Sequence, residues 1–419
     1  MGVGEGASGS AGGEPALMSA VRTGDTALVE SLLREDGDHD ARDVAFCLAV
    51  RMYAGDIAQL LLQYGADPGQ CGPDELLPLR AAVDSGSPAL VEALLDSRIR
   101  GRYGESELLE MRDLARHWYE TGVDTEMRRR TGCQDGLVRT RVQDDEYCSV
   151  DEYVLGGMTV REGHAAILTD LEELLRIRTS FEELTARALA HDPDHPAWGR
   201  ATILLAHRRD QETWAAAAAL RTHPEAAHRL FGAELLRLTH LFDDSDEDAF
   251  AGPALDLFTD WSTEEEDLAV LAEVLVALGE HGDPRADAAL LPYAGHPDAR
   301  LRCAVARGLG TWPELPAFSA SARAALLVLM TDTDTVVRRS ACLAVAEGRD
   351  RDPVFTDAMA ALLDDADRRV RVVAVYGLAL HDDERCVEGA RRLPPAPPGT
   401  PHEYELDAVW RYERRRDGH

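Results

Sequence analysis

Apolar positions along residues 16–124 recur at helical spacing in short runs, two runs to a unit, and the units themselves repeat. The phrases ALMSAVRTGDTALVESLL, CLAVRMYAGDIAQLLLQYGAD and LRAAVDSGSPALVEALL align with one another. Their small residues Ala20, Ala49 and Ala82 lie 29 and 33 apart, and the pairs Leu32-Leu33, Leu61-Leu62 and Leu94-Leu95 keep those two spacings. An alanine lets two helices approach closely, and a leucine pair fills the seam to the next unit, so the pattern predicts stacked helical pairs. From 125 to 163 the period is lost. TGCQDG and LGG have turn composition, LVRTRVQ and EYVLGGMTVREG are β-prone, and the stretch reads as a linker with a small β-hairpin or meander. Helical periodicity resumes at HAAILTDLEELLRI, residues 164–177.

A second pattern occupies the rest of the chain. Arg302, Arg338 and Arg371 each have an aspartate four residues earlier (Asp298, Asp334, Asp367) and an apolar residue seven later (Leu309, Val345, Leu378). Glu225, Arg229 and Leu236 keep the same offsets, Arg200 anchors another copy, and Leu271 stands in phase where an arginine is expected. The anchors 200, 229, 271, 302, 338 and 371 are spaced 29, 42, 31, 36 and 33, with apolar runs such as ARAALLVLM (322–330) between them. The unit is therefore helix–turn–helix. An aspartate just ahead of a helix accepts hydrogen bonds from the first N–H groups and suits the positive end of the dipole. The arginine, one turn inside, can pair with that acid or with the acid of the next unit.

On these residues the first set resembles ankyrin repeats. Gly24 and Gly86 occupy the glycine that ends the first helix in that family, whereas Tyr53 stands there in the second unit with Gly55 displaced. GAD at 65–67 matches the closing turn, WYETGVD at 118–124 resembles the end of a fourth, degenerate unit, and LPLRAA at 77–82 is the nearest approach to T-P-L-H-x-A. The second set resembles HEAT repeats over roughly 190–392. In that family a ladder aspartate falls six residues before the arginine; Asp194, Asp332 and Asp365 match it, and His223 and His296 replace it.

The two resemblances imply a mainly α fold of two helical-repeat solenoids, ankyrin-like then HEAT-like, with a small β-hairpin between. The expected organisation is a disordered tail over 1–15, ankyrin-like repeats over 16–124, a linker over 125–163, a HEAT-repeat array over 164–392, and a Pro-rich linker with a short C-terminal helix over 393–419. They also imply that Asp298, Arg302, Asp332, Asp334, Arg338, Asp365, Asp367 and Arg371 form a structural ladder between repeats. In the C-terminal ELDAVWRYERRR, Trp410 and Tyr412 are candidate anchors for a partner, as aromatic residues among arginines favour interfaces. Capping of the last repeat is the alternative.

Composition narrows the function. The formal net charge is −32 over 419 residues, which opposes both the basic footprint that nucleic acid demands and approach to anionic membranes. The chain has no lysine and no asparagine, so its 44 basic residues are all arginine, a bias expected of a GC-rich, actinobacterial genome. Without lysine there is no Schiff base, no pyridoxal anchor and no P-loop or kinase lysine; without asparagine there is no N-glycosylation site. The seven cysteines (47, 71, 133, 148, 303, 342, 386) form no C-x-x-C, as expected of buried thiols in a reducing cytoplasm. MGVGEGASGSAGGEP lacks a basic start and an apolar core, so it does not read as a signal peptide, and its GEGASG lacks the flanking strand and helix of a dinucleotide site.

Candidate chemistry is sparse. DDSDED (243–248) resembles the start of a calcium loop, but Ala249 and Leu255 stand where glycine and glutamate are required. EAAH (225–228) is a lone E-x-x-H, and HDPDHP (191–196) offers His191 and His195 in a proline-broken loop. No catalytic residue, cofactor or metal is assigned. The expected function is a non-catalytic, cytoplasmic protein–protein interaction scaffold whose acidic field steers basic protein partners, with no nucleic acid and no membrane. The alternatives, by resemblance to other HEAT-like proteins, are a lyase or a DNA glycosylase; an acidic nucleic-acid mimic that sequesters a DNA-binding protein is a third.

Overall fold

The computed structural model describes residues 16–35, 39–69, 77–95, 100–245, 248–309, 317–394 and 401–416. The expected disordered tail (1–15), Cys71 and residues 395–400 of the proline run lie outside the described residues. The chain is mainly helical, a helical-repeat fold with one small sheet, and divides into two units, Met1–Leu204 and Leu205–His419.

In the first unit, alternate helices form two layers. Ala16–Thr23, His39–Arg51, Pro78–Ser85 and Glu105–Thr121 pack in succession as one layer. Thr26–Glu35, Gly55–Gln63, Pro88–Leu94 and His164–Leu174 form the other. The last member departs from the expected organisation. Although its period suggested the opening of the second array, His164–Leu174 lies along Glu105–Thr121, and Ile167, Leu168 and Leu171 join the core that runs from Ala20 to Ala115. The fourth helical pair is therefore complete, but its two halves are separated in sequence by an insertion. Burial decides this: the apolar face of 105–121 needs a covering helix, and periodicity does not say which array a helix joins.

The insertion holds the expected small β-meander and, ahead of it, a helix that the sequence pattern did not mark. Its first part is a helix, Val123–Thr131, with Asp124 and Glu126 at its start and three arginines in its last turn, a charge order that favours the dipole. A three-stranded antiparallel sheet follows: β1 (Val138–Gln143), β2 (Ser149–Leu155) and β3 (Met158–Arg161). Val138 faces Val154 between β1 and β2, and Leu155 faces Met158 across the β2–β3 turn. That two-residue turn is Gly156-Gly157, both with positive φ (57° and 84°), the backbone that a tight hairpin needs and glycine supplies without strain. Tyr153, Leu155 and Val160 form one face of the sheet and bury against Trp118, Val123 and Met127.

In the second unit, Ala226–Leu241, Leu268–Glu280, Ala299–Gly308, Thr335–Glu347, Arg368–Leu380 and Pro401–Arg416 pack each on the next. Another helix precedes each repeat helix, for example Ala320–Leu329 and Pro353–Ala361. Gly279 and Gly308 meet where two of these helices cross; a Cβ on Gly279 would lie 2.2 Å from the Gly308 Cα, so the crossing excludes any side chain. The C-terminal helix packs on Arg368–Leu380 and on Arg385–Arg391 in the place of a next repeat.

Candidate functional site

The repeat aspartates and arginines of the second unit divide their work. Asp298, Asp334 and Asp367 each cap their own helix, accepting from backbone N–H groups two or three residues on. The arginines reach the next repeat instead. Arg302 donates from Nε and Nη2 to the two oxygens of Asp332 (2.7 and 2.8 Å), and Arg338 does the same to Asp365 (2.8 and 2.9 Å). Each bidentate pair is largely shielded from water, and the arginine hydrogen bonds hold the Asp332 and Asp365 carboxyls below their ordinary range. Asp332 and Asp365 also accept from the N–H groups of Asp334 and Asp367, closing the turn that enters the helix.

A third rung was overlooked in the sequence pattern. Arg229 donates to both oxygens of Glu265 (2.9 and 2.8 Å), and Glu265 stands six residues before Leu271, so its spacing already marked it. Leu271 is buried and offers no fork, and the following ladder position is His296, whose Nδ1 accepts from Asp298 N–H. Where the arginine is lost, the acid is lost with it. Arg200, the first anchor, serves its own unit, pairing with Glu92 and Asp170.

The first unit contains a buried polar junction that no local motif announces. Asp144, in the turn after β1, accepts from Ser87 Oγ (2.7 Å), Ala89 N (2.8 Å) and Arg161 Nη1 (2.8 Å), and its side chain is fully buried. The Arg161 guanidinium lies 4.2 Å from the Tyr53 ring centroid, and the Tyr53 hydroxyl donates to Thr159 O. These contacts join the sheet to the second and third helical pairs. A second junction centres on buried Glu126, whose carboxyl is held down at about 2, chiefly by the Arg129 hydrogen bonds.

An open groove of ≈ 950 Å³ runs along the second layer of this unit, with Glu92, Arg100, Glu173 and Arg176 at its walls and Asp170 and Arg200 within it. Burial pushes the Asp170 carboxyl up to about 7, against the pull of Arg200, whose Nε lies 3.4 Å away.

Several ring nitrogens of the histidine pairs are spent on the chain's own backbone. His195 accepts from Ala197 N–H at Nδ1 (3.1 Å), so its proton is on Nε2, which donates to Glu162 O (2.9 Å); both nitrogens are engaged. Burial drives His195 down to about 3, and His191 stacks on it at 3.8 Å. His223, Glu225 and His228 bring one ligand atom each within 4.8 Å, but His223 Nδ1 accepts from Glu225 N–H, repeating the turn that Asp332 makes. Its ring lies parallel to that of His228, 16° apart, and parallel rings do not point lone pairs at one ion. In DDSDED, Asp243 takes the Arg209 side chain and the Ser245 N–H; residues 246 and 247 lie outside the described residues.

Burial raises the thiol of Cys342, and raises those of Cys386 and Cys148 to about 11, the opposite of nucleophile activation. The aromatic pair of the C-terminal helix separates. Tyr412 is 7% exposed and faces its own unit, so its candidacy as a partner anchor is corrected; Trp410 is 54% exposed beneath the Arg414 guanidinium. Residues two apart on a helix point to different sides.

Comparison with known proteins agrees with the second unit. The HEAT-repeat family model matches residues 255–346 and 288–379. Among solved structures, YibA of Escherichia coli is similar at 16% identity and a TM-score of 0.41, covering 51% of this chain and 75% of that one. No curated protein matches in sequence. The chain is a helical-repeat protein, similar to HEAT repeats over residues 255–379.

Proposed function

We propose that the protein is a non-catalytic interaction scaffold of the cytoplasm, with an ankyrin-like array in its first unit and a HEAT array in its second. The groove at Asp170 and Arg200 carries this reading: it is open, spacious and walled by charges of both signs, a form that suits a polypeptide. Of the ladder residues, Asp298, Arg302, Asp332, Asp334, Arg338, Asp365 and Asp367 are spent on caps and inter-repeat pairs, which supports an architectural role for those seven. With a net charge of −32, association with a basic protein is steered at long range and weakens as salt rises. Among the described residues no helix is long and apolar enough to cross a membrane. The test is a pull-down with the full chain and with a Glu92→Arg, Glu173→Arg variant at low and high salt. Capture of a basic protein that the variant loses and salt releases is expected; equal capture by both proteins at both salts overturns the assignment of the groove.

A further inference from the structure

The ladder arginines share one geometry. In Arg229, Arg302 and Arg338, Nη1 donates to the two carbonyls just before the helix: His223 and Pro224, His296 and Pro297, Asp332 and Thr333. That grip fixes the plane of the guanidinium and presents its Nε–Nη2 edge to the carboxylate of the next repeat. Arg371 has the same grip, with Nη1 donating to Asp365 O at 2.6 Å and Ala366 O at 3.0 Å. Its Nε–Nη2 edge, however, meets no carboxylate among the described residues. The sequence ahead of the last helix does not supply one: the three residues preceding Pro401 are Pro398, Gly399 and Thr400, where the preceding helices follow Asp365-Ala366-Asp367 and Asp332-Thr333-Asp334.

A second observation lies three residues earlier on the same helix. Arg368, one turn earlier on the helix, keeps Nε and Nη2 buried without a hydrogen-bond partner. Buried unmet donors are costly, and elsewhere in this ladder an arginine is either paired or lost with its acid: Arg200, followed by His223, takes Glu92 and Asp170 instead, and Leu271 goes with His296. Two adjacent arginines with unmet donors break that rule at the end of the array.

We propose that Arg371, with Arg368 beside it, is a preorganised carboxylate-binding site that receives an acidic turn of the Asp-x-Asp type from another polypeptide. The three filled rungs show the pose: both oxygens of the first acid on Nε and Nη2, and the second acid capping the incoming helix. The fork is already held by Asp365 and Ala366, so little side-chain entropy is lost on binding. That the occupant is a polypeptide rests on the scaffold reading; the carboxylate chemistry does not.

The test uses the full chain and an acetylated peptide of residues 331–337, TDTDTVV. Phenylglyoxal modification, read by mass spectrometry, should label Arg371 at least about tenfold faster than Arg302 and Arg338, since a bidentate pair shields the guanidinium. The peptide should slow Arg371 labelling, and its counterpart with the first aspartate replaced by asparagine should not. Arg371→Lys, which keeps the charge and loses the fork, should bind the peptide about tenfold more weakly with an unchanged circular dichroism spectrum. Labelling of Arg371 as slow as that of Arg302 overturns the proposal; a rise on Glu403→Gln, Glu405→Gln replacement would then assign the fork to the chain's own C-terminal helix. Equal protection by both peptides, or by neither, overturns it as well. A captured partner with no peptide protection of Arg371 sinks this site and leaves the scaffold reading intact, whereas peptide protection without any captured partner does the reverse.

Discussion

Replacing Asp144 by alanine tests the reading that one buried carboxylate fastens the inserted sheet to the helical pairs. The side chain is fully buried and accepts three hydrogen bonds, one of them from Arg161, itself 9% exposed. Truncation strands the guanidinium and leaves the Ser87 hydroxyl and Ala89 N–H short of an acceptor. Breaking one side of a buried pair costs about 3–5 kcal/mol, and the residual Glu152 contact and the Tyr53 ring offset part of it, so the expected loss is about 3 kcal/mol. That is a large fraction of the roughly 5–15 kcal/mol that holds a domain together. The assay is amide hydrogen exchange on the full chain, comparing peptides from 138–161 and 78–94 with reference peptides from the second unit. Protection should fall by roughly two orders of magnitude in the first set, following the conversion of about 1.4 kcal/mol per tenfold. Adding Arg161→Met to Asp144→Ala should restore part of the loss, because the stranded charge, rather than the missing contact, is the main cost. A loss under about 1 kcal/mol in the single variant, or a double variant worse than the single by the full cost of Arg161→Met alone, would refute this account.

Gly86→Ala should cost at least about 2 kcal/mol in thermal or urea unfolding, because φ is 71° there and the new Cβ would lie 1.9 Å from Arg161 O. Asp170 titrates at about 7 folded against 3.8 unfolded, so its contribution to stability is full below pH 3.8 and is lost as the pH rises through 7. Asp170→Asn should therefore flatten the decline between those values and stabilise the protein at pH 8; a variant less stable than the parent at pH 8 would show that the Arg200 contact outweighs burial. Asp332 and Asp365 shift the other way, so the rungs contribute stability above the ordinary aspartate pKa of 3.8 that is lost as acid protonates the folded carboxyls. Arg338→Gln should remove the Asp365 share of that acid dependence and lower the urea midpoint, with an effect of about 2 kcal/mol at neutral pH. His164, buried between helices and stacked on Trp118 at 4.9 Å, is held down to about 4, so it costs stability as the pH falls from 6.5 towards 4; His164→Leu should weaken that dependence in an acid titration followed by circular dichroism.

Local pattern determined much of this protein. The repeat of Asp298, Asp334 and Asp367 ahead of apolar runs places the helix starts, because a cap acts over two or three residues of its own chain. Gly156-Gly157 marks the hairpin for the same reason, and the six-residue offset to the arginine marks the ladder acids, Glu265 included. Tertiary structure alone decided which distant groups meet. Asp144 and Ser87 are 57 residues apart, and no spacing rule links them; they meet because the insertion folds back over the third helical pair. The assignment of His164–Leu174 to the first unit has the same cause, since an amphipathic stripe specifies that a face must be covered but not by what. Tyr412 and Trp410 read alike as aromatic residues, and one was taken by the core only because of the direction in which the last helix packs. Arg371 is the mixed case. Its place in the ladder is legible from spacing, but its open edge follows from where the C-terminal helix lies and from the carbonyls that already hold Nη1.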